Sequence, residues 1–196
     1  MALILSLTFI AFAVIGRILI QFWTTGDHGL RFASLRGPLK ESVPGSAFVM
    51  SFVASFILIV MSEAGFLEVS PLTPKWIATT FFLVGLAGIA ITLVAQWQMG
   101  IAWRIGVDQR EETTLITRGL YRRSRNPIYF GIFLYWIGIT ATLPHPAVLV
   151  CALVCWISIE VVVRQIEEPY LKRIHGDAFG HYYLTTNRYL IWSLGG

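Results

Sequence analysis

The sequence predicts an all-α, polytopic membrane protein with about five transmembrane helices. Composition is the first reason: 56% of the 196 residues are hydrophobic and 13% are charged, against roughly 25% charged in soluble domains. Mean hydropathy is +0.67, so the chain carries more apolar surface than a water-soluble core can cover. Second, five apolar runs stand at 2–23, 45–61, 76–96, 127–143 and 147–163, each close to the roughly 17–25 residues that a helix needs to cross hydrocarbon. Third, charge is segregated. Of the 15 Lys and Arg residues, 13 follow the first run (Arg31, Arg36, Lys40), the third (Arg104, Arg110, Arg118, Arg122, Arg123, Arg125) or the end of the fifth (Arg164, Lys172, Arg173, Arg188). Alternate loops therefore hold the positive charge, which by the positive-inside rule puts the N-terminus outside and the C-terminus in the cytoplasm.

The first run has no basic segment before it and no small-residue cleavage site after it, so it reads as a retained span. Arg17 is near that helix's cytoplasmic end and is expected to snorkel to the interface. Only Pro144, His145 and Pro146 separate the last two runs, which predicts an antiparallel helical hairpin over 127–163. Cys151 and Cys155 share one helical face four residues apart, a spacing poorly suited to a disulfide, and read as packing residues. No linker divides the chain. Its natural halves are 1–96, the first three spans, and 97–196, which adds the hairpin and two polar cytoplasmic stretches, 97–126 and 164–196. The net charge of +4 comes without a Lys/Arg tract, so it describes a surface facing membrane lipids and not a nucleic-acid site.

Three constellations carry chemistry. Gly119-Leu120-Tyr121 precedes Arg125-Asn126-Pro127-Ile128-Tyr129. Asn126 is a good N-cap and Pro127 a good first helical residue, so a helix starts here with its positive dipole end and free N–H groups toward the cytoplasm, a place that attracts carboxylate or phosphate. The plainer reading is a cap with an interfacial tyrosine anchor. At the end of the fifth run, Arg164, Glu167 and Glu168 fall one turn apart, so Arg164 is expected to face both carboxylates, with Glu160 a turn deeper and also near Arg164. Such a cluster is costly in lipid unless paired or bound; the plainer reading is an exposed helix-end salt bridge worth about 0.5 kcal/mol. The tail carries Gly176, Phe179, Tyr182, Tyr183 and Arg188, compatible with an amphipathic surface helix or a cover over a site. His175 and His181 stand without Cys or an HExxH pattern, so no metal site is expected. The chain has no GxGxxG, no Walker loop and no nucleophile elbow.

Together these residues resemble a known family. Gly100-x-x-Trp103, Leu115-Ile116-x-x-Gly119-x-Tyr121, Arg125-Asn126-Pro127-x-Tyr129, a short helical hairpin, then Glu167-Glu168 with Gly176 and Tyr182 are similar to the isoprenylcysteine carboxyl methyltransferases and their bacterial relatives, over roughly 97–188. The resemblance implies S-adenosylmethionine-dependent methyl transfer in a membrane, an inner membrane for a bacterial relative. The cofactor would sit in a cytoplasmic pocket roofed by the C-terminal segment, and a lipophilic acceptor would enter from the bilayer. It implies cofactor contacts from Leu115, Gly119, Tyr121, Asn126, Pro127, Tyr129, Glu167 and Tyr182, with Glu167 facing the ammonium group. Arg164, Glu168, Arg188 and Arg104 are expected at the transfer site, aligning donor and acceptor.

The family most often has His between this Arg and Pro, where the chain has Asn126. A neutral amide can still donate to a carboxylate, but it does not act as a general base. A carboxylate acceptor, as in a prenylcysteine, needs none. Two other classes fit parts of the pattern: a membrane reductase resembling the sterol reductases, with Arg122 and Arg123 toward an NADPH 2′-phosphate, and a non-catalytic membrane scaffold.

Overall fold

Helices form at all five apolar runs. The computed structural model describes residues 1–29, 39–68, 74–104 and 114–189, with positions 40 and 41 in backbone only; Arg31, Arg36, Arg110 and the tail from 190 lie outside them. Helix α1 is Ala2–Thr25, α2 Leu39–Glu63, α3 Lys75–Met99, α4 Pro127–Thr142 and α5 Pro146–Val162. A π-helical turn, Val163–Glu167, joins α5 to α6, Glu168–Thr185, and α6 is kinked at Gly176, where the backbone leaves helical geometry (φ +50°, ψ −125°). There are no strands among the described residues. Among the described residues four helical runs, those beginning at Ala2, Ser42, Lys75 and Pro146, are long and apolar enough to cross a membrane, and α4 is a shorter apolar helix of 16 residues. α2 starts ahead of the predicted run, with Pro44 inside it.

The bundle is apolar outside and mixed inside. Phe12, Leu19, Val53, Ile57, Leu83, Leu153 and Ile157 are exposed, a surface that hydrocarbon accepts and water would not. Packing inside relies on small residues. α3 meets α4 backbone to backbone: a Cβ on Gly88 would fall 2.5 Å from the Gly131 oxygen, and one on Gly138 would fall 2.7 Å from the Gly85 Cα. Close approach through glycine replaces the missing hydrophobic drive between helices in lipid. Ser6 and Tyr135 share a hydrogen bond of 3.0 Å across α1 and α4, and Phe9, Phe52, Tyr135 and Trp136 form an aromatic cluster with centroids 4.6–5.9 Å apart. The predicted hairpin turn is present, with the His145 ring accepting the Ala147 N–H. Its helices nevertheless pack chiefly elsewhere, α4 on α3 and α5 on α2. Both cysteines are free, Cys155 buried and Cys151 half-buried.

Arg17 corrects the sequence reading. It does not snorkel: the residue is only 6% exposed, donates to the Gln21 side chain at 2.8 Å and to the Gly100 carbonyl, and lies over the Trp103 ring with 4.7 Å to the centroid. Acceptors and an aromatic face within reach inside the bundle hold a charge that would otherwise have to reach water.

Candidate active site

The site forms where the start of α4, the π-helical turn and the segment after α6 converge. Gly119 has φ +62°, and a Cβ there would fall 2.3 Å from the Gln98 side-chain oxygen, which accepts the Leu120 N–H at 2.7 Å. Glycine thus lets α3 grip the short 3₁₀ turn Gly119–Arg122. Tyr121, on that turn, is buried, and its hydroxyl has no partner among the described residues. Burial, then the neighbouring Tyr182 and Glu167, pushes its phenol well above the ordinary tyrosine range, so it is a neutral donor. Tyr182 of α6 donates its hydroxyl proton to the Tyr121 carbonyl at 2.6 Å.

After α6 the chain folds back over the start of α4. The Arg125 N–H donates to the Asn187 carbonyl at 2.8 Å and the Asn126 N–H to the Arg188 carbonyl at 3.0 Å, while the buried Ser124 hydroxyl donates to the Arg188 carbonyl at 2.9 Å. Asn126 is the N-cap and Pro127 the first residue of α4, as expected; the Asn126 side chain makes no capping bond.

Charge closes the clasp. Glu168 accepts from Arg125 Nη2 at 3.0 Å and from Arg188 Nε and Nη2 at 3.2 and 2.9 Å. Arg125 also donates to the Tyr183 carbonyl at 2.9 Å and to the Thr186 carbonyl, and it stacks on the Tyr183 ring at 4.1 Å. Its Nε is buried with no partner among the described residues. Burial works against the charge on Arg188, but hydrogen bonds to Glu168 and the charges of Glu168 and Glu160 outweigh it, and Arg188 holds its proton more firmly than a free arginine. Glu167 points elsewhere, accepting the Tyr129 hydroxyl proton at 2.5 Å.

Arg164 is a correction. Expected to face Glu167 and Glu168, it pairs with Glu160 at 2.6 Å, its side chain 60% exposed. Helical side chains lean toward the N-terminus, so Arg164 reaches back one turn, and the π-helical turn breaks the 3.6-residue register that would align it with Glu168. Glu160 also accepts from Tyr189 at 2.5 Å and lies 3.7 Å from Arg188. Arg104 Nε is 3.4 Å from the Ala102 carbonyl of its own turn. Leu115 is half-buried in the stretch before Gly119, and Arg122 and Arg123 are exposed.

Arg125, which the sequence presents only as one residue of the Arg-Asn-Pro-x-Tyr motif, is the most connected side chain of the clasp. Ser124, Gln98 and Tyr189 went unmarked; each acts through a long-range contact that no local spacing signals. Among the described residues no group of three or more His, Cys, Asp or Glu could hold a metal ion.

The profile of the phospholipid methyltransferase family matches residues 76–178, just over half of the chain and the part that builds α3, α4, α5 and most of the site. Among curated proteins none matches the chain in sequence. A solved structure, that of the eukaryotic intramembrane Ras methyltransferase isoprenylcysteine carboxyl methyltransferase, aligns with TM-score 0.62 at 20% identity over 92% of this chain and 63% of that one. This likeness is one of fold, and the chain spans less than two thirds of the length of that relative. By the match over residues 76–178, the chain belongs to the phospholipid methyltransferase family.

Proposed function

We propose that the chain transfers a methyl group from S-adenosylmethionine to a lipophilic acceptor that reaches the site from the bilayer. The observation that carries this reading is a set of unspent polar groups at the start of α4: the buried Tyr121 hydroxyl and Arg125 Nε without partners among the described residues, beside an Asn126 side chain that does not cap its helix. Buried polar atoms are nearly always paired, so leftover donors mark a place for a ligand with acceptors. The cofactor, when bound, supplies an activated methyl on a sulfonium. The first turn of α4 with Asn126 and Pro127 suits its carboxylate, and Glu167, held by Tyr129, suits its ammonium. Tyr121, Gly119, Leu115 and Tyr182 bound the adenosine. Arg125 and Arg188, fixed by Glu168, orient an anionic acceptor, with Arg164 held by Glu160 and Arg104 beside the Ala102 carbonyl; positioning of this kind supplies most of the catalysis when no proton need be removed.

The positive-inside count puts this face in the cytoplasm, and a prenylcysteine-type carboxylate is one acceptor compatible with it. Nothing in the family or the fold supports the reductase. Purified protein heated with S-adenosylhomocysteine should melt at a higher temperature, because the ligand binds the folded state, and NADPH should leave the midpoint unmoved. A shift with NADPH alone would overturn the reading.

A further inference from the structure

We propose that the groove between α1 and α3 binds a bilayer phospholipid by its phosphate, with Arg17 as the counter-charge. A cavity of about 430 Å³ opens between the two helices, lined by Phe12, Ile20, Trp97 and Ile101 on its walls and by Arg17 and Gln96. The four wall residues are exposed, whereas Arg17 and Gln96 are 6% and 5% exposed. Both buried residues are only partly satisfied. Arg17 spends Nη2 on Gln21 and Gly100, and Gln96 donates its amide to the Ala13 carbonyl at 2.9 Å. Arg17 Nε and Gln96 Oε1 have no partner among the described residues, and among those residues no carboxylate forms a salt bridge with Arg17.

One donor carrying positive charge and one acceptor thus remain unmet at the polar end of an apolar slot. A phosphate satisfies the first, and an ammonium or hydroxyl beyond it in the headgroup satisfies the second. Acyl chains fit the walls of Phe12, Ile20 and Ile101. The depth agrees: Arg17 meets the Gly100 carbonyl just past the end of α3, and Trp97, a residue type favoured at the headgroup level, is in the last turn of that helix. A free anion would find the charge but leave the apolar walls to solvent or lipid, which favours the amphiphile. Gln96 and Gln98 lie on different faces of α3, Gln96 toward α1 and Gln98 toward the Gly119–Arg122 turn of the candidate active site. The lipid site does not require that the bound lipid be the methyl acceptor.

Native mass spectrometry of the full chain released from dodecyl maltoside micelles tests this. Dioleoylphosphatidylglycerol should be retained as a single adduct at least about tenfold more strongly than dioleoylglycerol, which has the same tails and no phosphate, and millimolar inorganic phosphate should not displace it. Arg17→Gln should abolish that preference. Because Arg17 also ties Gln21 and Gly100, that variant can fail to fold, and Ile20→Trp then decides: it fills the slot from its lipid-facing wall and should lower phosphatidylglycerol retention about tenfold while S-adenosylhomocysteine still raises the melting temperature as it does in the parent. Equal retention of dioleoylglycerol, displacement by inorganic phosphate, or undiminished retention in Ile20→Trp would each overturn the proposal. Loss of the S-adenosylhomocysteine effect in the parent protein would count against the proposed function and leave the lipid site standing.

Discussion

Glu168→Gln removes one charge from the centre of the clasp. Its carboxylate receives three charge-assisted hydrogen bonds, from Arg125 at 3.0 Å and from Arg188 at 3.2 and 2.9 Å, with side-chain exposures of 9% for Arg125, 16% for Arg188 and 13% for Glu168. The amide has one acceptor oxygen and, with that oxygen at the position shared by Arg125 Nη2 and Arg188 Nε, turns an N–H₂ toward Arg188 Nη2. Removing one partner of a buried pair costs about 3–5 kcal/mol, largely because the other charge stays buried. Here Arg188 keeps Glu160 at 3.7 Å and part of the cluster touches solvent, so the lower end, about 3 kcal/mol, applies. At roughly 2–4 °C per kcal/mol for a chain of this size, the midpoint should fall by about 6–12 °C. Thermal melting in detergent reads the loss. Hydrogen exchange reads its place, because the Arg125 and Asn126 amides, bonded to the Asn187 and Arg188 carbonyls, should lose protection first. A Glu168→Gln protein melting within about 2 °C of the parent, with those amides still protected, would refute the view that Glu168 holds the clasp.

Glu167→Gln should behave differently: Tyr129 can still donate to the amide oxygen, so folding persists, while affinity for S-adenosylmethionine in calorimetric titration falls about tenfold, as expected for weakening a charged hydrogen bond of about 1.5–3 kcal/mol. Unchanged affinity would remove Glu167 from the cofactor's contacts. Gly131→Ala places a Cβ 2.3 Å from Thr92 Oγ1 and 2.6 Å from the Gly88 carbonyl; the overpacking should cost about 1–3 kcal/mol and lower the melting midpoint, and a stable, monodisperse variant would contradict the close contact of α3 and α4. In a cysteine-free background, a cysteine at position 145 should react with an impermeant reagent from outside and one at position 110 only from the cytoplasm; the reverse pattern would invert the topology.

Much of the fold is legible in the sequence because span length and charge asymmetry are local, additive signals. The runs at 76–96 and 127–143 came through as α3 and α4, and Asn126 and Pro127 start α4 because cap chemistry is local as well. What the sequence misjudged depends on partners distant in the chain. Arg17 reads as a snorkelling residue until Gly100 and Trp103 are brought to it from 83 and 86 positions away. Arg164 reads as the partner of Glu168 under an uninterrupted 3.6-residue period, and the π-helical turn that changes this period has no marker in its composition, Val-Arg-Gln-Ile-Glu. Arg125 was visible as a letter in a motif, but its clasp with Glu168 and Tyr183 spans 43 and 58 positions. The hairpin is legible in its short connection, which fixes proximity at the turn but does not decide which neighbours each helix packs against.

The glycine contact between α3 and α4 also sets how deep the candidate site lies. Gly88 and Gly131 mark a common level on the two helices. From there α3 rises to Met99, roughly 16 Å along its axis, whereas the stretch back to Pro127 at the start of α4 is only about 6 Å. The mouth at Asn126 is therefore recessed about 10 Å below the end of α3, a good part of the thickness of one hydrocarbon leaflet. Under the proposed function, an acceptor with its tails in the bilayer would bring a reactive group to that level by sliding sideways, without being lifted into water, while a water-borne cofactor would have to come down to meet it.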